Sequence, residues 1–149
     1  MSLKGQITED MKSAMKAGQK DRLKVVRLIL AAIKQIEVDT REELDEAAVL
    51  TVLTKMVKQR RDSIEQFVAG QREDLATIER DEIVVLQEYL PEPLSAEDLA
   101  AMVDEIIQAS GAEGIRDMGK VMRQIKAKAS GRADMGAVSA TVKERLNAL

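Results

Sequence analysis

The hydrophobic residues recur at helical spacing along nearly the whole chain. In the first segment, Leu3, Ile7, Met11 and Met15 each lie four residues from the next. Side chains at this spacing share one face of a helix with 3.6 residues per turn, so the pattern predicts an amphipathic helix whose apolar stripe faces a core. No segment alternates apolar and polar residues with the period of two that a half-buried strand needs. The chain is therefore expected to be all-α.

Helix start and stop residues divide the chain into seven predicted helices. Asp21, Asp45, Ser95 and Asp134 precede apolar-periodic segments, and each side chain can accept a hydrogen bond from the free amides of a first turn. Glycines that follow such segments, as Gly18 does, fit the left-handed position just after a helix end. The predicted helices run over about 3–17, 21–37, 45–69, 72–89, 95–110, 117–129 and 134–149.

Two prolines mark a boundary between two helical modules. Pro91 and Pro93 each lack a backbone N–H and fix φ, so no helix is expected to continue through them. We therefore predict an N-terminal helical subdomain over residues 1–92 and a C-terminal three-helix subdomain over residues 93–149. A chain of 149 residues is long enough for two small domains of this kind.

The composition excludes several kinds of catalytic and metal chemistry. The chain is 45% hydrophobic and 33% charged, with no His, no Cys and no Trp. Imidazole general bases, thiolate nucleophiles and metal sites built on nitrogen or sulfur ligands are therefore absent. No Gly-rich phosphate loop or nucleophile elbow occurs either, so no catalytic residue, metal site or cofactor is predicted.

The apolar segments and the amino terminus give an expectation for location. No run of about 18 apolar residues occurs, so no membrane span is predicted. The first residues, Met1 to Lys4, do not lead into the apolar core of a secretory signal peptide. Because the absence of Cys also fits a reducing compartment, the expected location is the cytoplasm.

The formal net charge of −3 hides a strong asymmetry along the chain. Residues 1–70 carry 13 basic and 11 acidic side chains, whereas residues 71–110 carry 2 basic and 11 acidic ones. Residues 111–149 carry 8 basic and 4 acidic side chains. The C-terminal module is thus divided into an acidic first helix and a basic remainder, and the basic part is a candidate for anion binding.

The basic residues of the sixth predicted helix lie on one side of it. At about 100° per residue, Arg116, Lys120 and Arg123 fall within a narrow strip, and Lys126 and Lys128 flank that strip. Cations one turn apart, on a face held rigid by packing, can bind successive phosphates of a nucleic acid. The alternative is the ordinary solvated face of an amphipathic helix. With Arg132, which extends the strip past the helix, the candidate phosphate ligands are Arg116, Lys120, Arg123, Lys126, Lys128 and Arg132.

Gly119 falls in the first turn of the same predicted helix. Gly is less favourable than Ala within a helix by about 0.5–1 kcal/mol, so its presence indicates that something approaches the backbone closely. The two alternatives are a neighbouring helix of the same module and a polynucleotide backbone.

Two further groups of basic residues are interpreted as structural or solvated. The third predicted helix carries a cluster beside Asp62 and Glu65, which lie at helical spacing for ion pairs with it. A repeat of lysines every four residues crosses the first two predicted helices and is expected to be solvated. The cluster consists of Lys55, Lys58, Arg60 and Arg61, and the repeat of Lys12, Lys16, Lys20 and Lys24.

Several strings of the sequence resemble the YqeY family. In the N-terminal module these are KQRRDS at residues 58–63, AGQREDLA at 69–76 and EYLP at 88–91. In the C-terminal module they are DMGKVM at 117–122, Lys128 and GRAD at 131–134. The C-terminal module is also similar to the tail of the GatB subunit of the glutamine-dependent aminoacyl-tRNA amidotransferase, where that tail contacts tRNA.

The resemblance implies two helical subdomains and a carbon–nitrogen ligase activity that uses glutamine as amide donor. Because the sequence offers no nucleophile with its base, we expect an accessory module that does not catalyse this reaction alone. Asp134 and Gly131 also have structural interpretations, as a helix cap and as a residue that ends a helix. Carried onto this sequence, the tRNA-contacting motif of the family falls on Gly119, Lys120, Lys128, Gly131, Arg132 and Asp134.

The expected function is that of a tRNA-binding accessory module. The expected partners are tRNA and an aminoacyl-tRNA amidotransferase or synthetase, and neither a membrane nor DNA is expected. A different possibility is a helical protein–protein interaction adaptor whose basic strip meets an acidic protein surface. The expected RNA-binding residues are Arg116, Gly119, Lys120, Arg123, Lys126, Lys128, Gly131 and Arg132.

Overall fold

A computed structural model describes residues 2–149 as seven α-helices, with no β-strand among these residues, and the all-α prediction is confirmed. A 3-10 turn, Ile115–Asp117, leads into the sixth helix. None of the helices in this range is both long enough and apolar enough to cross a lipid bilayer. The helices are α1 Leu3–Lys16, α2 Lys20–Thr40, α3 Glu46–Ala69, α4 Glu73–Gln87, α5 Ala96–Ser110, α6 Met118–Ala129 and α7 Met135–Asn147.

Side-chain caps begin three of these helices at the predicted residues. Asp45, Ser95 and Asp134 each accept a hydrogen bond from the backbone amide three residues further on, at 2.8, 3.0 and 3.3 Å respectively. Each bond satisfies an amide of a first helical turn, which has no partner within its own helix. These short polar residues therefore fix where α3, α5 and α7 begin.

The predicted cap at Asp21 is wrong, because α2 begins one residue earlier, at Lys20. Gly18 has a φ of 69° and ends α1, with the amide of Gln19 donating to the carbonyl of Ala14 at 3.0 Å. Only Gln19 then remains between Gly18 and α2, and its side chain makes no capping hydrogen bond. Asp21 lies inside the first turn instead, where its carboxylate still faces the positive end of the helix dipole.

The first compact unit contains α1 to α4 and ends at Pro91. Within it, α1 packs on α2 and α3 packs along α4, and these pairs share one aliphatic core. Burial of each large aliphatic side chain contributes about 1.5–3 kcal/mol to folding. The largest fully buried side chains of this unit belong to Ile7, Val26, Ile29, Ile33, Val49, Leu53 and Leu86.

The second compact unit runs from Glu92 to Leu149 and contains α5, α6 and α7. Each of the three helices packs against the other two around a core of its own. With one face of each helix turned inward, the opposite faces of this small bundle are left to solvent. The buried side chains belong to Leu99, Val103, Ile106, Ile107, Val121, Ile125, Ala129, Val138, Val142 and Leu146.

Candidate nucleic-acid interface

The candidate interface is the outer face of α6, opposite the side that packs in the core. Val121, Ile125 and Ala129 have no exposed surface, so they fix the helix on the bundle. Rigid packing of this kind holds the positions of the side chains that project the other way. Those outward residues are all exposed, and they are Gly119, Lys120, Arg123, Gln124, Lys126, Ala127 and Lys128.

Three cations of this face are available to bind an anion. Within residues 2–149, none of Arg123, Lys126 and Lys128 forms an ion pair or a side-chain hydrogen bond. Lys126 and Lys128 lie in the last turn of α6, where the negative end of the helix dipole favours positive charge. These three side chains are therefore the cations of the predicted strip that have no partner among the described residues of the second unit.

Arg116, the first residue of the predicted basic strip, lies before α6. It belongs to the 3-10 turn and pairs with Glu113 at 3.1 Å, with both side chains more than three-quarters exposed. The turn is fixed by the amide of Glu113, which donates to the Asp117 carboxylate at 2.8 Å. This hydrogen bond holds the pKa of the Asp117 carboxyl below its usual range. An exposed ion pair of this type is weak, so an incoming phosphate can compete with Glu113 for Arg116.

Lys120 has a structural contact as well as an exposed position. Its Nζ donates to the backbone carbonyl of Ser110 at 2.9 Å, at the carboxyl end of α5. The last carbonyls of a helix have no partner within it, so the ammonium group both satisfies one of them and faces the negative end of the dipole. A lysine ammonium carries three donors, which leaves two of them for another acceptor.

Arg132 and Gly131 have structural explanations in the connection between α6 and α7. The Nε of Arg132 donates to the carbonyl of Glu92 at 3.0 Å, and the amide of Leu94 donates to the carbonyl of Arg132 at 2.8 Å. These two bonds hold the segment that enters α5. Gly131 has a φ of 76°, a left-handed conformation that residues with a side chain adopt at a cost.

The backbone at Gly119 is open to the surroundings. A Cβ atom placed on this residue would meet no heavy atom within 4 Å outside its own helix and its chain neighbours. Close packing of another helix of the module therefore does not explain the glycine. The space beside this first turn of α6 is accessible to a molecule from solution.

Gly136 has a role that the sequence pattern did not reveal. A Cβ atom here would lie 3.1 Å from Oδ2 of Asp134, the oxygen that caps α7. The glycine therefore leaves room for the capping carboxylate, and Asp134 acts as a helix cap. Its position two residues after a cap residue was the only signal in the sequence.

The basic cluster on α3 is structural in part, but its partners differ from those predicted. The Nε of Arg60 lies 3.0 Å from Oε2 of Glu82 and 4.0 Å from Oε2 of Glu79, both on α4. Neither Asp62 nor Glu65 forms an ion pair with the cluster in the described part of the chain. A contact between residues 22 positions apart depends on how two helices pack, which helical spacing alone does not give.

A second polar network, in the first unit, was also missed by sequence reasoning. The hydroxyl of Tyr89 donates to the Asp10 carboxylate at 2.6 Å, and Arg22 pairs with Glu88 and lies 3.9 Å from Asp10. Tyr89 is 7% exposed, and this burial raises the pKa of its phenol. The network joins α1, α2 and the segment after α4, which fits a structural role.

Comparison with known proteins gives one family and several relatives. The family model described as Yqey-like protein matches residues 4–146. A relative from Candida glabrata is 42% identical over 110 residues, which are 70% of this chain and 59% of the relative. A relative from Eremothecium gossypii is 35% identical over 123 residues, covering 80% and 67%, and one from Lachancea thermotolerans is 29% identical over 143 residues, covering 91% and 76%. All three are named "Altered inheritance of mitochondria protein 41, mitochondrial".

The names of these relatives contradict the expected cytoplasmic location. They refer to mitochondria, whereas the expectation relied on the absence of Cys, of a membrane span and of a secretory signal. A chain without Cys, without a membrane span and without a secretory signal can belong to any of several aqueous compartments. The inference from composition to compartment was therefore unsound.

Proposed function

The chain belongs to the Yqey-like protein family, and from this premise we propose that it is a tRNA-binding accessory module. The RNA backbone lies along the outer face of α6, where Arg123, Lys126 and Lys128 bind phosphates. The observation that carries the proposal is that these three exposed cations share one rigid helix and have no anionic partner within residues 2–149.

The spacing of the three cations suits a phosphate backbone. With about 1.5 Å of rise and about 100° of rotation per residue, Arg123 and Lys128 lie about 7.5 Å apart along the axis of α6, and Lys126 and Lys128 flank Arg123 on opposite sides of the helix. Arg123 therefore lies at the centre of the face, and the two long lysine side chains reach phosphates on either side of it. Lys120 supplies two further N–H donors at the start of the same face, and Arg116 supplies a guanidinium that exchanges Glu113 for phosphate.

Gly119 gives this face a point of close approach. Since the space beside the Cα of Gly119 is open, a sugar or phosphate can contact the backbone at this residue. This supports an interpretation of Gly119 as part of a binding surface.

Recognition of this kind reads the shape and charge of RNA in preference to its bases. The aromatic residues Phe67 and Tyr89 both precede the second unit, which therefore has no ring on which a base could stack. Binding through phosphates alone depends strongly on salt, because each contact releases counterions. We therefore infer modest sequence preference and a steep salt dependence.

An accessory role fits the chemistry of the described residues better than catalysis does. Tyr89 is the only buried residue with a titratable side chain in the described part of the chain, and its hydroxyl already donates to the Asp10 carboxylate. General acids and bases gain their shifted pKa values mainly from desolvated surroundings. The proposal therefore assigns any amide transfer to a partner, an amidotransferase or synthetase that uses the same tRNA.

The test is a salt titration of tRNA binding with neutralised variants of the full chain. Arg123→Gln, Lys126→Gln and Lys128→Gln are combined in one variant, and binding to labelled total tRNA and to mitochondrial tRNA is measured at several salt concentrations. Losing three phosphate contacts should flatten the plot of log affinity against log salt by about 2 units.

A matched control keeps the same change of charge on another helix. Lys55→Gln, Lys58→Gln and Arg61→Gln neutralise three exposed cations of α3, and this variant should keep the salt slope of the unmodified chain. Circular dichroism confirms that both variants fold. Equal slopes for the α6 variant and the unmodified chain, or equal losses in both variants, would contradict the assignment to α6.

A further inference from the structure

The outward face of α2 in the first unit is a second surface that the proposed function does not use. The inner face of this helix is buried through Val25, Val26, Ile29 and Ile33. The outer face has a shallow depression, and its lining combines aliphatic side chains with cations. The lining residues, which we call the α2 face, are Lys20, Leu23, Lys24, Arg27, Leu28 and Ala31.

The floor of the α2 face is apolar and accessible. Leu28 is 40% exposed, and Ala31, three residues further along α2, lies next to it, whereas the partly buried Leu23 lies on the other side of the line of cations. The sulfur of Met15, on α1, lies 3.8 Å from a guanidinium nitrogen of Arg27. Met15 is also exposed, so its side chain extends the apolar area. Small and aliphatic residues of this kind form a site that can accept an aliphatic side chain.

The rim of the α2 face is positively charged and largely unpaired. In residues 2–149, Lys20 and Arg27 form no ion pair, and Lys24 has only Glu82 at 3.9 Å. These three cations lie at positions i, i+4 and i+7, so they repeat once per turn along about 10.5 Å of the helix. Carboxylates at the same spacing on a second helix would meet all three.

We propose that the α2 face docks an acidic amphipathic helix of a partner protein. The partner helix places an aliphatic side chain against Leu28 and Ala31 and sets Asp or Glu residues opposite Lys20, Lys24 and Arg27. Charge complementarity identifies this occupant, because three cations lie beside the accessible apolar surface of Leu28 and Ala31. The proposal is independent of tRNA binding by α6.

The apolar floor disfavours RNA and the narrowness of the floor disfavours a lipid surface. A phosphate backbone gains nothing from contact with Leu28 and would lose water there. A helix that lies in a membrane interface inserts a wide apolar face by about 5–10 Å, and the wide apolar face of α2 is buried in its own core. A protein helix with one aliphatic anchor between carboxylates matches both floor and rim.

The test uses a synthetic helical peptide as the probe and the full chain as the receptor. The peptide has Leu at its centre and Glu at three positions spaced i, i+4 and i+7, and its binding is followed by fluorescence anisotropy. Comparison peptides replace the central Leu by Ser or the three Glu by Gln. We expect Leu28→Ser in the protein, and Lys20→Gln with Arg27→Gln, each to weaken binding by about tenfold or more.

A matched control variant changes two cations outside the depression. Lys16→Gln with Lys34→Gln removes the same charge from exposed positions, and it should retain binding to within about twofold. Absence of peptide binding, or binding that survives Leu28→Ser, would overturn the proposal.

Two further probes separate the alternative occupants. Vesicles of phosphatidylcholine and phosphatidylserine should not co-sediment with the protein, and tRNA affinity should be the same in the α2 variants as in the unmodified chain. Vesicle binding lost on Leu28→Ser would assign the face to lipid. Loss of tRNA affinity in the Lys20 and Arg27 variant would assign it to the RNA surface, and either result would overturn docking of an acidic helix.

Discussion

At the scale of single residues, Gly119 links stability to the proposed binding. A methyl group at this position meets no neighbour, so Gly119→Ala should raise the free energy of unfolding by about 0.5–1 kcal/mol through the helix propensity of Ala. The same methyl group should weaken tRNA binding if RNA approaches the backbone there. Denaturant unfolding and a tRNA titration measure the two effects on one variant.

The other exposed glycine of a helical first turn in the second unit provides the comparison. At Gly136 an added Cβ would lie 3.1 Å from the capping carboxylate of Asp134, so Gly136→Ala should bring no gain in stability. Its tRNA affinity should stay unchanged. A Gly119→Ala variant that is less stable, or that binds tRNA as well as the unmodified chain, would remove the functional interpretation of the glycine.

Tyr89 allows a direct measurement of burial, because it is the single tyrosine of the chain. Desolvation raises its pKa above the value of about 10 for a free tyrosine, and the hydrogen bond to Asp10 adds to this. Ultraviolet absorbance of the phenolate should therefore titrate at higher pH in the folded chain than in urea. A folded-state midpoint at the value of the unfolded chain would contradict the network.

The same network predicts how stability depends on alkaline pH. The pKa of the Tyr89 phenol is raised in the folded state. The neutral phenol therefore makes its full contribution to the free energy of unfolding below about pH 10, and this contribution is lost as the pH rises above that value. Tyr89→Phe should lower the free energy of unfolding at neutral pH by about 1–2 kcal/mol, since the Asp10 carboxylate loses a donor. The difference between the two proteins should shrink as pH rises above 10, and a constant difference would indicate another cause.

The roles of individual cations could be predicted from the sequence only in part. Helical spacing identified the strip on α6, and the structure confirms that its outward residues are exposed. Spacing did not show that Lys120 reaches Ser110 or that Arg132 reaches Glu92, because those acceptors lie 10 and 40 residues away in the chain. Lys120 and Arg132 are consequently poor choices for testing RNA binding, since their replacement also disturbs structural contacts.

At the scale of helices, the end of α3 has a residue in a conformation that suits glycine better. Gln71 has a φ of 58°, and the amides of Gln71 and Arg72 donate back to the carbonyls of Val68 and Phe67. This is the hydrogen-bond pattern of a helix that ends on a left-handed residue. The sequence pattern placed the end of this helix correctly, near residue 69, but the left-handed residue is Gln71 and not the neighbouring Gly70, whose φ is −85°.

Gln71→Gly should therefore stabilise the first unit. The left-handed conformation costs an L-residue about 1–2 kcal/mol, so we expect the free energy of unfolding to rise by about 1 kcal/mol. Gly70→Ala is the comparison, because its Cβ would lie 3.3 Å from the carbonyl oxygen of Gln66 and no gain is expected. Chemical denaturation of both variants tests this, and a destabilised Gln71→Gly variant would show that the glutamine side chain has a contact of its own.

The helices themselves were more predictable than the contacts between them. Apolar periodicity with cap residues such as Asp45, Ser95 and Asp134 located the starts of three helices, because both signals are local. Gly18 and Gly111, each with a φ of 69°, likewise ended α1 and α5 near the predicted positions. The pairing of Arg60 with α4 was not predictable, because it depends on the packing of α3 against α4.

At the scale of the whole molecule, each compact unit has a cationic surface of its own. The charge count along the chain located the basic part of the second unit, whereas Lys20 and Lys24 of the α2 face were noticed only as part of a lysine repeat and interpreted as solvated. The two surfaces differ in their surroundings, since α6 offers cations beside an open glycine and α2 offers cations around aliphatic side chains. That difference is the basis for assigning RNA to one and a protein helix to the other.

The most direct test of the central claim is to locate the RNA contact on the protein. Amide signals of the isotope-labelled full chain are recorded by NMR while tRNA is added at low salt. If tRNA binds along α6, the signals that shift or broaden most should belong to residues 116–128, with α2 and α3 little affected. Strong effects centred on α2 or α3, or uniform effects with no centre on α6, would contradict the assignment of tRNA binding to α6.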